Sequence, residues 1–274
     1  MKIATWNVNS IRARLHILPE WLEKNNIDVL LIQEIKCEND KFPYEIIEDL
    51  GYNCVDLVHG QKSMNGVAII TKIPTLEVNK GLPLYNFGDI YNESRHIDVK
   101  VEHNGKIFRL FNTYFPNGSP LANYEGKDIE SPRFSYKLDF FERYIKYINQ
   151  AQEEASDEIF IMGGDYNIMH QDIDIYNPKN WRGKIAFTPQ ECEKMTKIID
   201  SGFIDVFRKL NPELQEYTWW DYRSGGFPKN YGLRIDYMFI SNNAMDMVKN
   251  CTIDRTVRAL EKPSDHAPCI LEII

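Results

Sequence analysis

The chain has 274 residues, 43% hydrophobic and 12% aromatic, enough to bury a sizeable core in one large or two smaller α/β domains. A formal net charge of -8 excludes a global positive field, so any phosphate-binding face must be a local cluster on an acidic body. The five scattered cysteines form no CxxC pair, no apolar run reaches spanning length and the N-terminus lacks a signal-peptide core. These features argue against a zinc site, a disulfide framework and a membrane anchor, and predict a soluble, reduced, cytoplasmic protein.

Residues 2–6 read as a strand ended by the polar Asn7-Val8-Asn9-Ser10. A short helix over 19–26 opens on Pro19, and an apolar strand over 28–33 stops on Gln33-Glu34. Strand–helix–strand order predicts parallel strands with adjacent carboxyl ends, placing Asn7 and Glu34 at one edge, where ligands bind in α/β sheets. Further strands are expected over 53–58 and 66–72, the second after the Met64-Asn65-Gly66 turn. Residues 95–101 alternate, Asn104-Gly105 turns, and 106–114 returns as a hairpin that delivers Asn112-Thr113-Tyr114-Phe115-Pro116-Asn117-Gly118 into a polar, irregular stretch over 118–131.

Ser131 as N-cap and Pro132 at the first position start a helix, and Phe134, Leu138, Phe141, Ile145 and Ile148 give it a core-facing stripe to about 154. A buried strand over 158–162 follows, and Gly163-Gly164 are expected to break it into a tight bend. Asp165 and Asn167, at i and i+2, then present a carboxylate and an amide suited to holding a water or a phosphoryl oxygen. Taken alone, Gly-Gly-Asp is a turn. After a polar loop over 170–187, Thr188-Pro189-Gln190-Glu191 is a capping box for a helix that runs to Ser201 and closes on Gly202. Short strands are expected over 204–207, 217–220, 234–240, 251–254 and 268–274. No repeat or linker interrupts the chain, so one domain over 1–274 is predicted: two packed sheets flanked by about three helices.

Three strand ends carry candidate chemistry. A lone strand-end Glu34 is most simply tied to a neighbouring loop, but beside Asn7 it becomes an oxygen donor for Mg²⁺, a hard cation held by one or two carboxylates. Ser264-Asp265-His266 lies between Pro263 and Pro268, which hold its geometry. Asp236, in Arg234-Ile235-Asp236-Tyr237, is available to orient His266, keeping the imidazole charged or in the correct tautomer for an anionic phosphate.

Asn7-Val8-Asn9, Gln33-Glu34, Tyr114-Phe115-Pro116-Asn117, Gly164-Asp165-Tyr166-Asn167, Arg234-Ile235-Asp236-Tyr237 and Ser264-Asp265-His266 occur in an order that resembles the exonuclease III family of abasic-site endonucleases. The resemblance covers essentially the whole chain. Its narrower part, Trp219-Trp220-Asp221-Tyr222-Arg223-Ser224 followed by Gly232-Leu233-Arg234-Ile235-Asp236, is similar to the DNA-repair branch of the wider endonuclease/exonuclease/phosphatase superfamily.

The resemblance implies a four-layered α/β sandwich with the active site at one edge of two mixed sheets. It implies that Glu34 holds the metal with Asn7 close by, and that Asp165, Asn167, Asp265 and His266 complete the metal surroundings. Asp165 would orient or deprotonate the attacking water or protonate the leaving oxygen, and Asn167 would steady the water. His266 backed by Asp236 would bind the scissile phosphate, Tyr114 and Asn117 would contact the phosphate or leaving group, and Trp219 would wall the pocket for a flipped-out abasic sugar. Asn9 and Arg95 join the implied substrate-binding set, and Arg12, Arg14, Arg182, Lys184, Arg223 and Lys229 are candidates for backbone phosphate contacts.

The implied activity is Mg²⁺-dependent cleavage 5′ to abasic sites, Mn²⁺ being a possible substitute, with 3′–5′ exonuclease and 3′-phosphatase action on double-stranded DNA, by a monomer. Two alternatives stand beside it. One is an enzyme of the same superfamily acting on a phosphorylated small molecule or lipid, against which the Trp219–Ser224 motif speaks. The other is a silent DNA-binding module, which would be expected to lack Glu34, Asp165 or His266. Two departures are visible: the 177–184 segment Asn-Pro-Lys-Asn-Trp-Arg-Gly-Lys, whose Trp181 either wedges into a duplex or packs, and Cys192, where the family usually has arginine.

Overall fold

The computed structural model describes residues 1–85, 93–119, 131–223 and 225–274. Most of the stretch expected to be irregular, from 120 to 130, and Ser224 of the narrower motif lie outside the described residues.

Strand β1 (Lys2–Asn7), helix α1 (Leu18–Asn25) and strand β2 (Val29–Gln33) form the predicted parallel unit, with Asn7 opposite Gln33. Helix α2 (Tyr44–Asp49) and strands β3 (Val58–His59), β4 (Val67–Thr71) and β5 (Thr75–Lys80) follow. The hairpin is β6 (His96–His103) and β7 (Lys106–Tyr114); α3 (Pro132–Glu154) then leads to β8 (Ile159–Asp165). The remainder comprises α4 (Pro178–Trp181), α5 (Pro189–Asp200), β9 (Phe203–Asp205), α6 (Val206–Leu210), β10 (Trp219–Trp220), α7 (Gly226–Lys229), β11 (Gly232–Leu233), β12 (Asp236–Ser241), β13 (Val248–Ile253) and β14 (Cys269–Ile273).

The strands build two six-stranded mixed sheets, ordered β13-β14-β1-β2-β4-β3 and β5-β6-β7-β8-β12-β9, and a short β10-β11 pair. Alternation along β1 shows how they stack. Ile3 turns inward with Val29, Leu31, Val99, Leu110, Ile161 and Met238 into the layer between the sheets. Ala4 and Trp6 turn outward onto Leu18, Trp21, Leu22 and Ile47 of α1 and α2. On the second sheet, Phe111, Phe160 and Phe239 meet Phe141, Tyr144 and Ile148 of α3 and Met195 and Ile198 of α5. The order helix, sheet, sheet, helix is the expected four-layered sandwich. Burying strands on both faces explains why their sequences are apolar runs rather than clean alternations.

Several local expectations change. Gly163 and Gly164 do not bend the chain; they are the fifth and sixth residues of the seven-residue strand β8, and Tyr166 just beyond it still hydrogen-bonds to the Ile235 carbonyl. A Cβ on Gly163 would sit 2.6 Å from Leu31 Cδ1, and one on Gly164 would sit 2.0 Å from the Thr113 carbonyl oxygen. The glycines therefore let the sheets and neighbouring strands close up directly behind Asp165. Gly164→Ala is expected to destabilise the protein by about 1–3 kcal/mol or more through overpacking, read as a lower urea midpoint; an unchanged midpoint would contradict this account.

The strand expected over 53–58 contracts to β3 and one Asn53–Thr71 bridge. The strand expected over 204–207 stops at Asp205, whose carboxylate accepts the Arg208 N–H and starts α6 instead. Ser131 makes no side-chain cap, whereas the Thr188–Glu191 capping box forms as expected. Helix α2 and the partly exposed strand β5 were not anticipated.

Candidate active site

The ends of β1 and β2 in one sheet meet the ends of β7 and β8 and the start of β12 in the other. Register alone sets a row across the second sheet, because Tyr114 and Asp236 each lie opposite Asp165. From the first sheet, the Asn7 Nδ2 group donates to Glu34 Oε1 and to Asp165 Oδ2, both at 2.9 Å, and so ties the two sheets together. Its Oδ1 accepts the Asn9 N–H at 3.0 Å. Set between two carboxylates, the Asn7 amide presents its donor side to them and lies beside Glu34.

His266 is fixed from several directions. Its carbonyl accepts from Trp6 Nε1 at 3.2 Å, and Ser264 Oγ accepts its N–H at 3.2 Å while donating to the Asn7 carbonyl at 2.7 Å. Asp236 takes Nδ1–H at 2.9 Å, and Nε2 faces Asp165 Oδ2 at 3.8 Å. Burial works against the charged imidazole, but Asp236, Asp165 and Asp265 outweigh it and raise its pKa to about 10. His266 is thus an imidazolium at neutral pH. The charged form suits an anionic phosphate, and the ring also stays in the cluster that could hold an ion.

Burial and the nearby Asp236 push the Asp165 carboxyl up to about 7, although His266 and Asn7 pull the other way. Glu34 goes the other way: burial raises it, and Lys36 and the Asn7 hydrogen bond more than compensate. Lys36 Nζ lies 2.6 Å from Glu34 Oε2. The Tyr114 hydroxyl, pushed well up by burial and by Glu34, stays a proton donor. Asn167 adopts a left-handed backbone (φ 52°), bringing its own N–H back to Asp165 Oδ1 at 2.9 Å. Its side chain donates to the Phe115 carbonyl at 3.0 Å and accepts from Asn117 Nδ2 at 3.3 Å.

Among the described residues, Glu34, Asp165 and His266 are the group whose potential ligand atoms lie within 4.8 Å of one another. Two of the three are adjacent carboxylates, a set that fits a hard divalent cation. Asp265 lines the same cavity, where it accepts from Asn9 Nδ2 at 2.8 Å and Trp219 Nε1 at 3.0 Å and so fixes the Trp219 ring. Asn9 in turn accepts from Lys36 at 2.6 Å.

Arg95 is corrected most clearly. Its guanidinium is buried, paired to Glu93, bonded to the Tyr114 carbonyl at 3.2 Å and stacked 4.7 Å from the Tyr114 ring centroid. It props up Tyr114 from behind. Arg14 is likewise turned inward onto the carbonyls of Ala13 and Asn9, and Arg182 pairs with Asp172. Arg12, Lys184, Arg223 and Lys229 are exposed.

A cavity of about 420 Å³ opens here, polar along Glu34, Tyr114, Asn117, Asp165 and His266. Its other side is apolar: Trp181, Ile185, Ala186, Trp219, Leu233 and Ile235. Trp181 and Cys192 both pack against the small cluster that includes Phe187 and Ile235. Apart from Trp219 and Trp181, these wall residues escaped sequence reasoning as site residues, as did a buried Lys137–Glu191 pair behind the site. The available signal for the latter was a lysine at helical spacing between Phe134 and Phe141, on the apolar stripe of α3.

Residues 4–266 match the family described as Endonuclease/Exonuclease/phosphatase family. The chain is 38% identical over 275 residues to an exodeoxyribonuclease III of Haemophilus influenzae, covering 98% of each. It is 31% identical to a DNA-(apurinic or apyrimidinic site) endonuclease of Dictyostelium discoideum, over 98% of this chain and 69% of that one. Among solved structures it is similar to a 3′ phosphatase, NExo, from Neisseria bound to a product DNA hairpin, with TM-score 0.88, 34% identity and coverage of 100% and 99%. An AP endonuclease from Archaeoglobus fulgidus superimposes with TM-score 0.87 at 33% identity, with the same coverage.

Proposed function

The chain belongs to the endonuclease/exonuclease/phosphatase family as a nuclease of the DNA-repair kind, and on that premise we propose a Mg²⁺-dependent phosphodiesterase that cuts double-stranded DNA 5′ to abasic sites. The same site would trim 3′ phosphates and degrade duplex DNA from 3′ ends, with Mn²⁺ able to replace Mg²⁺. We assign these activities to one monomeric domain over 1–274 acting in the cytoplasm; no helix among the described residues is long and apolar enough to cross a membrane.

The observation that carries this reading is Asp165, tied to Glu34 through the Asn7 amide and facing His266, which Asp236 holds from behind. Glu34 would hold the cation, with Asp165 and His266 completing the cluster. When bound, the cation supplies positive charge against the phosphoryl oxygens. Asp165, steadied by the Asn7 amide and the Asn167 N–H, accepts the proton of the attacking water. His266 presents Nε2–H to a phosphate oxygen, and the protonated Tyr114 and Asn117 add donors for the phosphate or the leaving oxygen. A sugar without a base has little stacking to lose on leaving the duplex, and the apolar wall around Trp219 gives it a dry seat.

The test is a labelled duplex with one central tetrahydrofuran abasic analogue, incubated with Mg²⁺ and, as control, with EDTA. A single Mg²⁺-dependent cut 5′ to the analogue is expected. No cut there, with phosphate released from soluble inositol phosphates, would overturn the substrate assignment. A second expectation concerns the wall: Trp219→Ala lowers kcat/KM for abasic incision about 10-fold or more, the scale of a lost apolar pocket contact, and affects 3′-phosphate removal less. Equal losses on the two substrates would sink the role of Trp219 as the sugar wall.

A further inference from the structure

Lys137 and Glu191 are both fully buried, and Nζ meets Oε1 at 2.5 Å. We propose that this pair is a positioning clamp for the catalytic edge, an inference that rests on the phosphodiester-cleavage reading above. Each of the two charged groups is fully used. The ammonium has three donors; they go to Glu191, to the Asn167 carbonyl at 2.8 Å and to the Asn117 carbonyl at 3.3 Å. The carboxylate takes the Ala186 N–H at 3.0 Å on one oxygen and the Thr188 N–H and hydroxyl, at 3.0 and 2.8 Å, on the other.

These partners sit on three separate loops, and each loop contributes to the active-site cavity. Asn117 and Asn167 line the cavity with their side chains bonded to one another, the Asn167 N–H reaches Asp165, and Ala186 lines the apolar wall. Gly118 (φ +81°) rests on the lysine stem: a Cβ there would lie 3.0 Å from Lys137 Cδ and 3.2 Å from Ile185 Cδ1. Helices α3 and α5 thus reach through the core to hold the polar and apolar sides of the cavity at one spacing.

Stability alone does not account for such a pair. Two charges removed from water lose more hydration than a plain apolar contact would, and apolar replacement of a complete buried pair is often neutral for folding. What an apolar pair cannot do is grip two carbonyls and three donors at fixed distances. Loosening Asn167 and Asn117 by an ångström would misplace donors against the reacting phosphate, a displacement worth about 10²-fold in rate. Lys137 and Glu191 touch no substrate; they are positioning residues.

The experiment pairs Lys137→Met/Glu191→Gln, which removes both charges at nearly constant shape, with Lys137→Arg, which keeps the ion pair but cannot aim its planar donors at both carbonyls. Each is measured for urea midpoint and for kcat and KM on the abasic duplex. The expected result is a near-normal midpoint and KM with kcat lowered about 10²-fold in the double variant and by less in Lys137→Arg. Full kcat in a folded variant, or activity lost only in proportion to folded protein in both variants, would overturn the clamp and leave the pair a role in folding alone. Should the wild-type enzyme not cut the abasic duplex, the substrate reading fails separately, and the clamp is scored by the same comparison on 3′–5′ degradation of plain duplex DNA.

Discussion

Asp165→Asn is expected to lower kcat for abasic-duplex cleavage by about 10²–10⁴-fold, the range for loss of a general base, while duplex affinity measured in EDTA stays nearly unchanged. The expectation follows from how the carboxylate is held. Its Oδ1 accepts the Asn167 backbone N–H and its Oδ2 accepts the Asn7 side-chain amide. Asparagine has the same shape and keeps one acceptor, so the row across β7, β8 and β12 survives. The group that takes a proton does not. Removing a negative charge from the phosphate-facing edge also gives no reason for weaker DNA binding.

The pH dependence carries a sign. Burial and Asp236 raise the Asp165 carboxyl to about 7, and the deprotonated form is the active one. Wild-type kcat should therefore fall as pH drops through that value, or through a lower one once a bound cation adds positive charge beside it. Residual activity of Asp165→Asn should be flat over the same interval. Parallel loss of binding and cleavage would instead make Asp165 a structural residue.

Asp236→Asn is expected to lower kcat by about 10²-fold or more and to shift the alkaline limb of the profile downward. His266 is deeply buried, and burial by itself favours the neutral ring; the carboxylates of Asp236, Asp165 and Asp265 overcome it to reach about 10. In the wild type the imidazolium, and with it the phosphate contact, persists until pH rises toward that value. Without the Asp236 charge 2.9 Å from Nδ1, the opposing effect of burial remains and the ring loses its proton at lower pH. Activity between neutral pH and pH 10 should then decline earlier. An alkaline limb at the wild-type position would show that the imidazolium is not what the reaction uses.

Sequence determined the parts of this protein that depend on near neighbours. The β1–α1–β2 unit brought Asn7 and Glu34 to one edge because a short helical crossover leaves little choice but parallel strands. The Asn104-Gly105 hairpin, the Thr188–Glu191 capping box and the pairing of His266 with Asp236 were also legible, the last through the motifs that carry the family resemblance. Tertiary structure decided what depends on distance between elements. Gly163 and Gly164 read locally as a bend, yet their function is set by Leu31 and Thr113, which only packing brings near. Arg95 has the composition of a phosphate contact, but Glu93 and the Tyr114 ring claim its guanidinium. The Asn7 amide turns its nitrogen to the site because two carboxylates from different sheets converge on it. Lys137 and Glu191 are 54 residues apart on different helices, and nothing local marks either as a partner of the other. Periodicity and capping are properties of adjacent residues, whereas the direction of a buried polar group is set by whichever distant donors and acceptors the closed core leaves beside it.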